Sequence, residues 1–159
     1  MSRLVAVDLD DAGQPAPTPE MERERLVAVL DLLEDNRFAL PPRDGRPASP
    51  GPFRLALSLR DRRLVFAVSS EAGEPLAEFH LSLGPFRQVV KDYFQICESY
   101  HEAVRTRPPA QIEAVDMARR GIHDEGARVL RERLDGKADL DKPTARRLFT
   151  LICVLNPDG

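Results

Sequence analysis

The stretch FRLALSLRDRRLVFAVSSEAGEPLAEFHLSL, residues 53–83, alternates apolar and polar side chains through three short runs. Such alternation places one row of side chains on each face of a strand. The runs are 53–59, 63–70 and 76–83. They are separated by a tight turn through Arg60, Asp61 and Arg62 and by the turn-forming EAGEP. Connections this short force neighbouring strands to run antiparallel, so the stretch predicts a three-stranded meander. His80 points opposite to Phe79 and Leu81, which places it at an exposed rim.

Upstream, RLVAVDL (3–9) reads as one more short strand. A loop on its glycine and prolines follows at 10–19. Thr18 then has the character of a helix N-cap, with Pro19 at the first helical position and acids in the first turn. The spacing predicts a helix over 18–36 with Leu26, Val29, Leu30 and Leu33 as its apolar row and Asn36 closing it. LPPRDGRPASPGP (40–52), with five prolines and two glycines, has too little apolar material to pack and reads as a mobile surface loop.

Downstream the periodicity becomes helical. Phe86, Val90, Tyr93, Phe94, Cys97, Tyr100 and Val104 recur every three or four residues over 84–106. Further helices are expected over 108–121, 124–136 and 141–155, the last capped by Asp141 and burying Leu148, Ile152 and Leu155. Strands and helices segregate along the chain, so the expected fold is α+β. It comprises an N-terminal strand and helix, a three-stranded antiparallel meander, then three to four C-terminal helices packed on one face of the sheet. The 159 residues are expected to form a single domain, 1–159.

With 42% hydrophobic and 31% charged residues, composition is that of a globular chain rather than a disordered one. No apolar run approaches the ~20 residues of a membrane-spanning helix. Acids near the start read as the absence of a secretory signal. Cys97 and Cys153 lie in apolar helical contexts and read as free, buried thiols of a reducing compartment. The net charge of −3 is uneven: residues 106–150 carry 10 basic and 8 acidic groups, an excess of two, without a basic block. Nucleic acid is therefore not the expected partner.

MARRGIHDEGARVL, residues 117–130, concentrates the chemistry. Gly121 reads as a helix C-terminus and Asp124 as the next N-cap, with His123 in the joint and the flanking charges serving the two helix ends. The functional counterpart is a polar pocket in which His123 acts as general base, partnered by Asp116, Glu125 or Glu98. A second candidate is an anion- or partner-binding patch of Arg119, Arg120, Arg146 and Arg147, should the helices bearing them lie side by side. No His-x3-His or cysteine pair points to a metal, and no P-loop, dinucleotide fingerprint or G-x-S-x-G points to a cofactor or acyl chemistry. No cofactor is expected. Two short helices around a glycine at 109–134 have the outline of a helix-turn-helix, but Asp116 and Met117 stand where small or apolar residues should pack.

VKDYFQICESYHEA, QIEAVDMARRGIHDEGARVLRERLDGK and TARRLFTLICVL, together with RLVAVDLD, ERERLVAVLDLLEDNRFAL and RLALSLRDRRLVFAV, resemble an uncharacterised family of small alphaproteobacterial proteins of the UPF type. The resemblance spans nearly the whole chain. It implies a cytoplasmic bacterial protein without an assigned activity, and it brings no functional residues to carry over. The expected role is a non-enzymatic protein- or anion-binding, regulatory module. Its partner, another protein or a second copy of the chain, docks on the helical half.

Overall fold

Asp61 and Arg62 form a two-residue turn with φ of 51° and 62°, positive at both positions. This is the hairpin geometry whose twist matches that of the strands it joins. In the computed structural model, which describes residues 2–10, 17–43 and 45–156, the turn links β3 (Phe53–Arg60) to β4 (Arg63–Ser70). β5 (Pro75–Ser82) returns antiparallel to β4, completing the meander expected from residues 53–83. One face of these strands carries Phe53, Leu55, Leu57, Leu64, Phe66, Val68, Phe79 and Leu81, all buried. The other carries Arg54, Ala56, Arg60, Arg63, Glu78 and His80, all exposed.

β1 (Leu4–Asp10) joins this sheet beside β3, giving the order β1-β3-β4-β5. It runs parallel to β3, so the sheet is mixed and not, as expected, wholly antiparallel. The reason is the connection: α1 (Pro19–Glu34) intervenes between β1 and the meander and carries the chain back before β3 begins. Thr18 caps α1, its hydroxyl accepting from the Met21 amide at 3.2 Å. Asn36 fastens the other end. Its Nδ2 donates to the Leu32 carbonyl at 2.8 Å and to the Leu4 carbonyl at 2.9 Å, while its Oδ1 accepts from the Leu4 amide at 2.7 Å.

The buried face of α1 differs from the expected row. Met21, Ala28 and Leu32 are buried and Val29 and Leu33 pack at the margin, but Leu26 is 50% and Leu30 68% exposed. α1 rests on α4 (Lys142–Leu155) through a side carrying Ala28, while Leu26 and Leu30 face outward. α4 packs in turn on α3 (Pro109–Arg133), and α3 on α2 (Arg87–Thr106), which follows a 3-10 turn at Gly84–Phe86. Asp141 caps α4 as expected, accepting from the Thr144 amide at 3.1 Å.

The expected break at Gly121 is absent: 109–133 is one 25-residue helix. Gly121 sits inside it without positive φ, Asp124 caps nothing, and the glycine that turns left-handed is Gly136, at φ 77°. A glycine inside a helix costs about 1 kcal/mol relative to alanine. The packed stretch beyond it outweighs that cost, because Gly126, Ala127, Val129 and Leu130 are all buried. Gly126 lets Phe149 of α4 lie directly against the α3 backbone. A continuous helix also removes the turn that a helix-turn-helix requires.

The proline-rich 40–52 stretch is more anchored than its composition suggests. It leaves β2 (Phe38–Ala39), which pairs with β6 (Asp139–Leu140), and is held by backbone bridges Leu40–Ser49 and Arg43–Arg46. Arg46 donates to the Leu76 carbonyl of β5 at 2.9 Å, and the Arg43 guanidinium lies 4.7 Å over the Phe79 ring. Cys97 and Cys153 are free and buried.

Candidate functional site

Two helices present matching faces to one groove. On α1, Glu24, Val27, Ala28 and Asp31 recur at positions i, i+3, i+4 and i+7, and on α4 Pro143, Arg146, Arg147 and Thr150 repeat the same spacing. With His123 of α3, they line a cavity of about 260 Å³.

His123 forms its inner wall. Its ring lies 5.1 Å from Tyr93 and 6.5 Å from Phe149, centroid to centroid, and its Nε2 is 3.3 Å from the Thr150 hydroxyl. That hydroxyl has one proton, which it gives to the Arg146 carbonyl at 3.3 Å. The contact with His123 is then satisfied by an Nε2 proton donated to Thr150. Burial, reinforced by the positive charges of Arg146 and Arg119, lowers the imidazole pKa from 6.5 to about 4. His123 is therefore neutral at physiological pH. The Tyr93 hydroxyl is buried near the Cys97 thiol, and desolvation pushes its pKa upward.

The four arginines of the expected patch divide into two pairs. Arg146 and Arg147 line the groove. Arg147 donates to the Asp35 carbonyl at 3.1 Å. Arg146 Nε lies 3.4 Å from an Asp124 oxygen, an ion pair without hydrogen-bond geometry, so this buried N–H has no acceptor. Asp124 also meets Lys142 at 3.5 Å.

Arg119 is consumed by the fold. It holds Asp116 at 2.8 Å and Glu24 of α1 at 3.5 Å, and its guanidinium lies 4.1 Å over the Tyr100 ring of α2. One side chain thus ties three helices together. The hydrogen bond from Arg119 is the first cause that holds the Asp116 carboxyl below its usual range. Arg120 adds a second contact to Asp116 at 3.0 Å and is otherwise exposed.

Two of the three acids proposed as partners of His123 are engaged elsewhere, and the third lies at the surface. Asp116 faces the two arginines, Glu125 is exposed and ion-paired with Arg128, and Glu98 is exposed on α2. His80, at the sheet rim, contacts Glu78 at 2.7 Å. Burial raises the Cys97 thiol to about 11 and Cys153 well above its usual value, leaving neither as a ready thiolate. Among the described residues no group of three or more His, Cys, Asp or Glu could hold a metal ion. No helix there is long and apolar enough to cross a membrane.

Sequence reasoning missed Glu24, Asp31 and Thr150 as groove residues and Tyr100 as the seat of Arg119. The repeated i, i+3, i+4, i+7 spacing on α1 and α4 was the available signal. The partnership of Glu24 with Arg119, across 95 positions of chain, had none.

A family model described as uncharacterised protein family UPF0262 matches residues 1–157. A UPF0262 protein of Roseobacter denitrificans is 68% identical over 159 residues, covering 100% of both chains. One of Ruegeria pomeroyi is 67% identical over 159 residues, covering 100% of this chain and 99% of its own. One of Paracoccus denitrificans is 65% identical over 156 residues, covering 98% of this chain and 96% of its own. No solved structure matches at a significant level.

Proposed function

The chain belongs to the uncharacterised protein family UPF0262, and we propose that it acts as a non-enzymatic binding module whose α1–α3–α4 groove receives a carboxylate-bearing segment of a protein partner. The observation that carries this reading is the buried Arg146 Nε–H, which faces an Asp124 carboxylate oxygen at 3.4 Å without hydrogen-bond geometry, while Arg147 stands beside it in the groove wall. A buried donor without a well-formed hydrogen bond costs up to about 1–3 kcal/mol, and an incoming carboxylate that accepts from it in place of Asp124 would recover that cost. Of the two acids lining the groove, Glu24 is already neutralised by Arg119.

The lip of the groove supports a protein partner over a free anion. Val27, 49% exposed, lines it, and Leu26 and Leu30 stand outward on the same helix. Arginine is among the residues enriched as interface anchors, and the exposed aliphatic lip adds apolar surface for a partner to cover. A catalytic role for His123 draws less support. A general base works best with a pKa near the working pH, and this imidazole is depressed to about 4 and has neither Asp116 nor Glu98 to orient it. Arg119 and Arg120, tied to Asp116, leave no continuous basic face of the kind that tracks a nucleic-acid backbone.

The test is affinity purification from the native cell with wild type and with Arg146→Ala/Arg147→Ala. The proposal expects the co-purifying partners to disappear while circular dichroism and melting stay close to wild type. An unchanged set of partners on a folded double variant removes it.

A further inference from the structure

A second cavity, of about 670 Å³, lies away from this groove, between the proline-rich strap and β5. That is within the range of about 300–1,000 Å³ typical of ligand sites. Its walls include Leu40, Pro41 and Phe79 together with the cations Arg43, Arg46 and Lys137. Glu78 is the one carboxylate among the described lining residues, and it already contacts His80.

The strand beside the cavity has an edge to which no described strand pairs. Among the described residues β5 has a single strand neighbour, β4. The Asp61–Arg62 turn makes Arg60 and Arg63 a hydrogen-bonded pair, so alternation turns the backbone groups of Leu64, Phe66 and Val68 toward β5. Their register partners Leu81, Phe79 and Ala77 face back. The N–H and C=O groups of Glu78 and His80 therefore point out of the sheet. The Leu76 carbonyl on this same edge accepts from Arg46, which shows that the edge is within reach of the strap.

We propose that the free edge of β5 and the adjoining cavity form a docking site for an extended acidic peptide, which adds to the sheet as a fifth strand. Backbone hydrogen bonds to Glu78 and His80 would hold it, and its alternate side chains, apolar and acidic, would enter the cavity. The charge of the wall selects the occupant. A second copy pairing edge to edge would bring two sets of the same cations together, whereas an acidic strand complements them.

The test uses the full chain and a phage-displayed library of random nonapeptides. Enriched peptides should carry acidic and aliphatic residues at alternating positions. A synthetic representative should shift the amide resonances of Glu78 and His80 and bind at least tenfold more weakly to Lys137→Glu. It should also weaken tenfold or more on His80→Pro, which removes an outward N–H while leaving the pairing with β4 intact. Arg146→Ala/Arg147→Ala should bind the peptide as wild type does. The proposal is overturned if no peptide is enriched, if the enriched peptides lack acids, or if affinity stays within twofold in folded Lys137→Glu and His80→Pro. Concentration-dependent self-association abolished by His80→Pro would also overturn it, by assigning the edge to a second copy.

Discussion

Two glycines five positions apart on α3 should respond in opposite directions to the same substitution. At Gly121 a new Cβ meets nothing within 4 Å and the backbone is helical. Gly121→Ala therefore recovers helix propensity alone, a stabilisation of about 0.5–1 kcal/mol. At Gly126 the same Cβ would sit 2.5 Å from Cε2 and Cγ of Phe149, a ring that is fully buried. Overpacking of that kind costs about 1–3 kcal/mol and can exceed it, so after the propensity gain Gly126→Ala should lose about 1–2 kcal/mol. The two variants should then differ by roughly 2–3 kcal/mol, or about 4–12 °C in Tm for a chain of this size. Urea unfolding followed by circular dichroism measures both. A Gly121→Ala variant destabilised by a kilocalorie or more would mean that this glycine is left-handed and that the helix breaks there. A Gly126→Ala variant as stable as wild type would refute the close contact of α3 with Phe149.

His123 is neutral down to about pH 4 in the fold, whereas an unfolded imidazole titrates near 6.5. Between those values the unfolded chain binds the extra proton, so stability should fall as pH drops through that window, by up to about 3 kcal/mol. His123→Gln should flatten this acid limb in pH-dependent urea titrations, and an unchanged limb would assign it to other groups. Arg119→Ala leaves Asp116 and Glu24 without their shared cation and strips the Tyr100 face, and should cost about 1–3 kcal/mol by thermal unfolding. Arg119→Lys should recover only part of it, since lysine lacks the planar fork. Asn36→Ala removes three hydrogen bonds joining the α1 terminus to β1 and should cost about 2–3 kcal/mol, with the amide of Leu4 the first to lose hydrogen-exchange protection.

The meander was legible because its information is local: alternation in 53–83 fixes the faces, and short turns fix the direction. The same held for the caps Thr18 and Asp141, each a residue acting three positions ahead. Gly121 misled for the complementary reason. Followed by His123 and Asp124, it has every local mark of a helix boundary, and only contacts with α2 and α4 carry the helix through. α1 misled likewise, because Leu26 and Leu30 extend an apolar row with Val29 and Leu33, yet the helix buries the side that carries Met21, Ala28 and Leu32. At the site, His123 was visible as an unusual residue type, but its neighbours come from α2 and α4. Arg119 was visible as a charge, and its conversion into a clamp depends on Glu24 and Tyr100, which share no short-range pattern with it.

The burial of both cysteines gives the native chain a built-in chemical clock. Cys97 and Cys153 sit in the helical layer with their thiols held protonated, so alkylating reagents and mild oxidants have nothing to attack until α2 or α4 moves aside. The two sulfurs report on different helices. Their separate labelling rates, read by mass spectrometry, would time the loosening of each helix without any probe added to the chain.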